Sequence, residues 1–169
     1  AEVKQSQDSH STAIEASDQT YVALKEKGVG VSFKVNEPAN ALTVRYTVPD
    51  GASGQLDVQV NGHSVQQLDL SSTSNWQYLN DKGVHDSAQA DTRARFQFDE
   101  VHSLLPGLQL QKGDVVSLVK NKADDVHYGL DFVEFEQAPD PIAQGDNAVN
   151  IISKGATPND DTVDSQALY

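Results

Sequence analysis

The chain has 169 residues, of which 37% are hydrophobic, enough for one core of ordinary size but not for two. Its 25 acidic and 12 basic side chains give a formal net charge of −13, which argues against nucleic acid, anionic lipid and acidic polymers as partners and favours a neutral ligand. It has no cysteine, which excludes disulfides, thiolate nucleophiles and zinc–thiolate sites, and no apolar run long enough for a membrane-spanning helix.

The first 12 residues are polar and aperiodic, which predicts a flexible arm over 1–12. Short runs of alternating apolar and polar side chains follow, and this period of two is that of a strand with one face in a core. Asn61-Gly62 between two such runs predicts a tight hairpin, because a type I′ turn needs positive φ at both central residues. Strands are predicted over 30–35, 42–48, 55–60, 64–70, 95–98, 115–119 and 128–135.

A single helix is predicted over 99–105, with Asp99 as its N-cap and Pro106-Gly107 as its end. Short strands with turns every 8–12 residues otherwise dominate residues 13–136. The pattern therefore predicts an all-β fold, a β-sandwich or jelly roll of two antiparallel sheets.

The sequence changes character after residue 136. Pro139-Asp140-Pro141 is typical of a linker, predicted over 137–150. A new apolar stretch begins near Val149, and Asp164 is a suitable N-cap for a helix beginning at Ser165. Residues 151–169 are therefore expected to begin a further domain.

Two segments resemble known families. Residues 28–136 resemble carbohydrate-binding modules of families 6 and 35, above all those in front of mycodextranase-like α-1,3-glucanases. The resemblance is carried by GVGVSFKVNEPANALTVRYTVPDGASG, LDVQVNG, SNWQY, FDEVHSLL and LDFVEFEQ. Residues 151–169 resemble the opening of right-handed β-helix glycosidases and lyases, at Gly155, Ala156, Asp160, Asp161, Thr162, Asp164, Ser165 and Ala167. Together they imply a binding module followed by a β-helix catalytic domain.

Aromatic side chains are the first candidates for sugar contact, because the C–H face of a sugar ring stacks on an aromatic ring. Trp76, the only tryptophan, sits in a polar segment and matches the loop tryptophan of these families. Tyr78 is two residues further, on the same face if the segment is a strand, although packing is favoured over sugar contact for it. Tyr21 matches the second aromatic of the resemblance, with a core position as the alternative.

The loop before the last strand lines the usual site in the resembling families. His127 and Tyr128 lie there, so both are candidate sugar contacts. The families commonly carry an asparagine where this chain has Gly129, so polar contact could instead pass to His127, Asn121 or Asp125. The alternative for His127 is a solvated loop position.

The resemblance also implies a structural calcium site at Glu15 and Asp131. Calcium takes hard oxygen ligands, and carboxylates from distant segments would tie an early segment to the last strand. The families often have a second acid two residues after the first, where this chain has Ser17. A salt bridge from Asp131 to a lysine such as Lys25 is the alternative.

Other charged groups do not form a recognisable catalytic motif. Asp99 and Glu100 are adjacent, so on a strand their carboxyl groups would face opposite ways and could not serve one glycosidic bond. Arg45, Arg93 and Arg95 could clamp an anionic sugar, although surface ion pairs are the simpler role.

We therefore expect a secreted, monomeric, non-catalytic module from a bacterial glycoside hydrolase or lyase. It would bind a neutral polysaccharide, an α-glucan by resemblance, and hold the covalently linked catalytic domain near its substrate. The alternatives are a structural domain that stabilises the β-helix, and a module for an anionic polysaccharide or a galactan.

Overall fold

A computed structural model describes residues 1–5, 12–73, 76–79, 93–96, 98–158, 160–161 and 163–168. For 76–79 and 93–96 only the backbone is described. The chain divides into two compact units, Ala1–Ala138 and Pro139–Tyr169.

The first unit is built from short strands. They are β1 (Glu2–Gln5), β2 (Thr20–Leu24), β3 (Gly30–Lys34), β4 (Ala41–Thr47), β5 (Ser53–Val60), β6 (His63–Ser71), β7 (Trp76–Leu79), β8 (Arg93–Phe96), β9 (Asp99–Leu104), β10 (Val115–Lys120) and β11 (Tyr128–Glu136). Two 3-10 turns, Thr12–Glu15 and Ser17–Gln19, lie between β1 and β2.

These strands form two main antiparallel sheets. One has the order β1-β2-β11-β4-β9, the other has the order β3-β10-β5-β6, and β7 and β8 make a separate hairpin. Alternate residues of β4 and β10, such as Val44 and Leu118, are fully buried between the sheets. The predicted all-β two-sheet sandwich is confirmed.

The hairpin between β5 and β6 shows why the local prediction worked. Asn61 and Gly62 have φ of 51° and 83°, the positive values that a type I′ turn demands. Val60 pairs with His63 across the turn, which sets the register down to the pair Ser53 and Ser71, with one irregularity after Val58.

Two local predictions are wrong. Residues 99–105 were predicted as a helix, but Asp99–Leu104 is strand β9, in which Val101 pairs with Val44 of β4. Pairing with a distant strand here outweighs the local cap and stop signals. Within the predicted arm, Glu2–Gln5 forms strand β1 on the edge of β2, and residues 6–11 lie outside the described part.

The second unit contains two short 3-10 helices, Ile151–Lys154 and Ser165–Leu168. The Asn150 side chain accepts a hydrogen bond from the Ile152 N–H at 3.0 Å, and Gly155 ends the first helix with φ of 104°. Asp164, predicted as a helix cap, accepts a hydrogen bond from the Thr157 N–H at 3.1 Å. Among the described residues no helix is long and apolar enough to cross a membrane.

Candidate functional site

A cleft of about 270 Å³ opens beside strands β2 and β11. It is lined by Lys4, Thr12, Tyr21, Ala23, Lys25, Thr47, Val48, Pro49, His127, Tyr128 and Gly129. The antiparallel pairing of β2 with both β1 and β11 brings these segments together, since Tyr21 pairs with Lys4 and Ala23 pairs with Gly129. Three of the predicted sugar contacts, Tyr21, His127 and Tyr128, thus line one cleft.

Tyr21 forms an aromatic wall of the cleft. Its ring packs edge-to-face on Phe98, with 5.8 Å between ring centroids and an interplanar angle of 68°. Partial burial raises the pKa of its phenol, so the hydroxyl stays protonated and can both donate and accept a hydrogen bond. A half-buried tyrosine ring can stack on the apolar C–H groups of a sugar, and its protonated hydroxyl can form hydrogen bonds with the sugar hydroxyl groups.

Two ammonium groups line the same cleft. Lys4 and Lys25 both bind the Glu2 carboxylate, at 2.7 Å in the case of Lys4. The hydrogen bond from Lys25, followed by that from Lys4, lowers the Glu2 pKa to about 2. The three charges partly neutralise one another, which leaves ammonium donors that can bind neutral hydroxyl groups.

Lys4 lies in the segment predicted as a flexible arm and was not among the predicted site residues. Its position depends on the pairing of β1 with β2, a contact that no local pattern announces. The one available signal is the spacing of Glu2 and Lys4, which puts both side chains on the same face of a strand.

The adjacent residues His127 and Tyr128 differ in their exposure to solvent. His127 is exposed on the cleft, whereas Tyr128 is fully buried. The Tyr128 hydroxyl accepts a hydrogen bond from the Gln55 N–H at 3.1 Å, and its ring packs against Gly54. Burial of its ring favours a packing role for Tyr128, and its role as a sugar contact stays a prediction.

The remaining predicted contacts lie elsewhere or cannot be placed. Asn121 and Asp125 do not line the cleft, and Asp125 is an exposed loop residue. Trp76 and Tyr78 lie on β7, and their side chains are outside the described part of the structure.

Asp131 lies at the centre of a second polar cluster. Its side chain is 1% exposed, and its Oδ2 accepts a hydrogen bond from Arg45 Nη1 at 2.9 Å. The backbone N–H of Ser17 donates to both carboxylate oxygens, at 2.9 and 3.1 Å. Arg45 Nη2 also donates to the Glu15 carbonyl oxygen at 3.2 Å. The cluster thereby ties the early 3-10 turns to strands β4 and β11.

This cluster does not fit the predicted calcium site. Both Asp131 oxygens already accept hydrogen bonds, and the exposed Glu15 contributes its backbone carbonyl to the cluster. A guanidinium stands beside the carboxylate where calcium needs further oxygen ligands. No group of three acidic or histidine side chains suited to a metal occurs among the described residues. Calcium binding itself stays a prediction.

The structure also shows the ion-pair partners of Asp131, Lys25 and Arg45. Asp131 pairs with Arg45 and not with Lys25, which pairs with Glu2. The Arg45 guanidinium carbon lies 5.4 Å from the Phe98 ring centroid and 5.9 Å from that of Phe132, so Arg45 packs against two rings as well as pairing with Asp131. It is not available to clamp an anionic sugar, and the side chains of Arg93 and Arg95 lie outside the described part.

Comparison with known proteins identifies relatives over most of the chain. The family described as alpha-1,3-glucanase catalytic domain D1 matches residues 2–138. The Agl-KA catalytic domain is 35% identical with a TM-score of 0.83, and the match covers 99% of this chain and 30% of that structure. Among curated proteins no sequence matches significantly.

Two further solved structures have the same fold. The catalytic unit of a thermostable GH87 alpha-1,3-glucanase from Streptomyces thermodiastaticus strain HF3-3 is 33% identical with a TM-score of 0.72, over 98% of this chain and 29% of that one. A GH87 alpha-1,3-glucanase catalytic domain in complex with nigerose is 23% identical with a TM-score of 0.73, over 85% of this chain and 26% of that one. This chain therefore spans less than a third of each relative.

These comparisons overturn one expectation. The chain was predicted to be a binding module and not an enzyme, but the matching family is an alpha-1,3-glucanase catalytic domain, and the two structures described above at 35% and 33% identity are a catalytic domain and the catalytic unit of an alpha-1,3-glucanase, which points to a glycoside hydrolase domain. Converging carboxylates were not evident in the sequence, but the chain matches only part of a larger catalytic domain.

Proposed function

Because the chain belongs to the family of the alpha-1,3-glucanase catalytic domain D1, we propose that it is part of a glycoside hydrolase acting on α-1,3-glucan. Within that enzyme the cleft beside Tyr21 and His127 binds a glucose unit of the substrate chain. The single observation that carries this role is the lining of the cleft, where a half-buried aromatic ring lies among hydroxyl, imidazole and ammonium groups.

The size and chemistry of the cleft support a neutral sugar. A volume of about 270 Å³ is near the lower end of ligand sites, ~300–1,000 Å³, and suits a short piece of a glucan chain. The Tyr21 ring offers an apolar surface, and Lys4 and Lys25 offer donors for hydroxyl oxygens. Their shared Glu2 weakens attraction for an anionic sugar, which favours the neutral ligand over the acidic alternative.

Hydrolysis of a glycosidic bond ordinarily needs two carboxyl groups that face the bond from either side. No Asp or Glu side chain is among the described residues that line the cleft. In this proposal the reacting carboxyls lie in the larger part of the catalytic region, and the cleft binds substrate away from the cleaved bond. Binding energy from such remote contacts supports catalysis by orienting the chain.

We also propose that the second unit, Pro139–Tyr169, begins the β-helix part of that catalytic region. Its apolar side chains are largely exposed within the unit, which Val163 at 85% and Leu168 at 70% illustrate. Apolar groups in this number are stabilised when further structure covers them. A polymeric glucan cannot cross a membrane, so we place the enzyme outside the cell.

The proposed glucose site is tested by titration of the chain with nigerose, the disaccharide of α-1,3-linked glucose, followed by NMR or calorimetry. We expect saturable binding with a Kd in the millimolar range, because a shallow cleft buries few ligand atoms. Tyr21→Ala should weaken it at least ~10-fold, the effect of about 1.4 kcal/mol.

A matched pair of histidine variants locates the ligand. His127 lines the cleft and His63 is exposed at the start of β6, so both can be replaced by alanine without disturbing the core. His127→Ala should weaken nigerose binding while His63→Ala leaves it unchanged. Equal effects of the two variants, or binding of maltose as tight as that of nigerose, would contradict the proposed site or its linkage preference.

A further inference from the structure

The ammonium group of Lys120 is buried beneath the loop that carries His127. The Lys120 side chain is 0% exposed, and its Nζ donates to the carbonyl oxygens of Lys25, Asp124 and Val126 at 2.9, 2.9 and 2.6 Å. It also lies 2.8 Å from Asp124 Oδ1. An ammonium has three N–H donors, so the three carbonyls and the shared carboxylate use its full capacity.

The ring of Tyr128 completes this enclosure. Lys120 Nζ lies 5.0 Å from the Tyr128 ring centroid, within the range of a cation–π contact. Tyr128 is buried, and its hydroxyl is held by the Gln55 N–H. The cation is therefore surrounded by groups that stabilise positive charge, as a buried charge requires.

The partners of Lys120 come from the two segments that flank the cleft. Asp124 and Val126 belong to the loop between β10 and β11, which ends at His127 on the cleft. Lys25 follows β2, and its own side chain lines the cleft. A single ammonium thus joins the backbone of the His127 segment to the backbone of the Lys25 segment.

The arrangement cannot be held by a neutral side chain of similar length. Three carbonyl oxygens converge on one point, and without a donor they would repel one another and leave buried acceptors unsatisfied. Charge-assisted hydrogen bonds are also about twice as strong as neutral ones, so the cation fixes the segments firmly. The loop contains no described regular secondary structure that could fix it otherwise.

We propose that Lys120 is a positioning residue of the sugar cleft, which holds His127 and Lys25 at the separation that accepts a glucose unit. This inference rests on the proposed function of the cleft. Lys120 does not line the cleft itself, so it acts through the two segments that it joins.

The test compares Lys120→Met with Lys122→Met, which removes the same charge from an exposed position two residues along. Nigerose affinity is measured well below the unfolding temperature, so that a loss of stability alone does not change the Kd. Lys120→Met should weaken binding about 10-fold or more, the effect of losing one charge-assisted hydrogen-bond network. Lys122→Met should not change it. A folded Lys120→Met protein with wild-type affinity would overturn the proposal.

A second variant covers the case in which Lys120→Met does not fold. Asp124→Asn keeps the ammonium and its three carbonyl partners but removes the ion pair. We expect faster amide hydrogen exchange across 121–127 and about threefold weaker nigerose binding, whereas unchanged exchange and unchanged affinity would overturn the proposal.

Failure of the proposed function can be told apart from failure of this inference. If the wild-type chain binds no nigerose, the glucose site is wrong whatever Lys120 does. The hydrogen-exchange comparison of Asp124→Asn with wild type then still decides whether Lys120 and its carboxylate hold the loop.

Discussion

Gly129 lies against the ring of Tyr21, and the contact leaves no room for a side chain. A Cβ at position 129 would lie 3.0 Å from Tyr21 Cδ2 and 2.7 Å from Thr47 Cγ2. Where the resembling carbohydrate-binding modules carry an asparagine, this chain therefore has a residue without Cβ. The Tyr21 ring occupies space on the cleft wall that the asparagine side chain would take.

Gly129→Ala is predicted to push the Tyr21 ring from its place. We expect a loss of stability of ~1–3 kcal/mol, typical of overpacking, and weaker nigerose binding. Thermal unfolding and calorimetric titration measure the two effects. Gly145→Ala is the control, because a Cβ at position 145 has nothing within 4 Å and its φ is not in the left-handed region. Equal stability of the two variants would contradict this packing argument.

The pair of Arg45 and Asp131 predicts how the chain responds to calcium. Since Arg45 already supplies positive charge beside Asp131, addition of calcium or of a chelator should leave the unfolding temperature unchanged. A saturable rise in unfolding temperature with calcium would instead support the calcium site implied by resemblance.

Removal of the Arg45 charge should lower the free energy of unfolding substantially. Arg45→Met leaves the buried Asp131 carboxylate with only the Ser17 donors, and we expect a loss of about 3 kcal/mol, the lower end for a buried pair. Lys112→Met is the matched control, because Lys112 and Glu37 form an exposed pair at 3.6 Å worth less than ~1 kcal/mol. Urea unfolding at neutral pH measures both free energies. Similar losses for the two variants would show that Asp131 does not depend on Arg45.

Local signals and nonlocal contacts explain what the sequence could and could not predict. The Asn61-Gly62 hairpin depends on two adjacent residues, so it was predicted correctly. Strand β9 was predicted as a helix because Asp99 and Pro106 give strong local signals, while its pairing with β4 is invisible in the sequence of the segment.

The same distinction applies to the cleft. Tyr21 and His127 were identified through the resemblance. Lys4 was missed because its place in the cleft depends on the pairing of β1 with β2, and Lys120 was missed because its burial depends in part on the distant Lys25 carbonyl. Burial of Tyr128 could have been predicted from the sequence. Tyr128 alternates with Leu130 on one face of β11, and this period of two places its ring with the core.

The Glu2 carboxylate is expected to make the stability of the folded chain depend on pH, and comparison with Glu2→Gln isolates its contribution. Its pKa is lowered to about 2 in the folded chain, chiefly by Lys25 and then by Lys4, from a value of 4.5 without these partners. A lowered folded-state pKa means that the stabilisation is present above about pH 4.5 and is lost as the pH falls towards 2. The unfolding temperature of wild type should exceed that of Glu2→Gln at pH 6, and most of this difference should be lost by pH 2.

Salt provides the check on this prediction. Glu2 and its lysines are partly exposed, so the difference between wild type and Glu2→Gln at pH 6 should also shrink as ionic strength rises. A difference as large at pH 2 as at pH 6 would come from something other than the Glu2 charge, because about half of the Glu2 carboxyl groups are protonated at pH 2.

Tyr128→Phe distinguishes the contribution of Tyr128 to stability from any contribution to sugar binding. The variant keeps the ring beside Lys120 but removes the hydroxyl that accepts from the Gln55 N–H. We expect a loss of about 1 kcal/mol, the value of one hydrogen bond, measured by urea unfolding. Nigerose affinity should remain at the wild-type value, since the hydroxyl points into the protein and the ring is fully buried. Weaker binding at wild-type stability would support the prediction of Tyr128 as a sugar contact. Gln55 offers an independent readout, because its amide exchange should increase when its acceptor is removed.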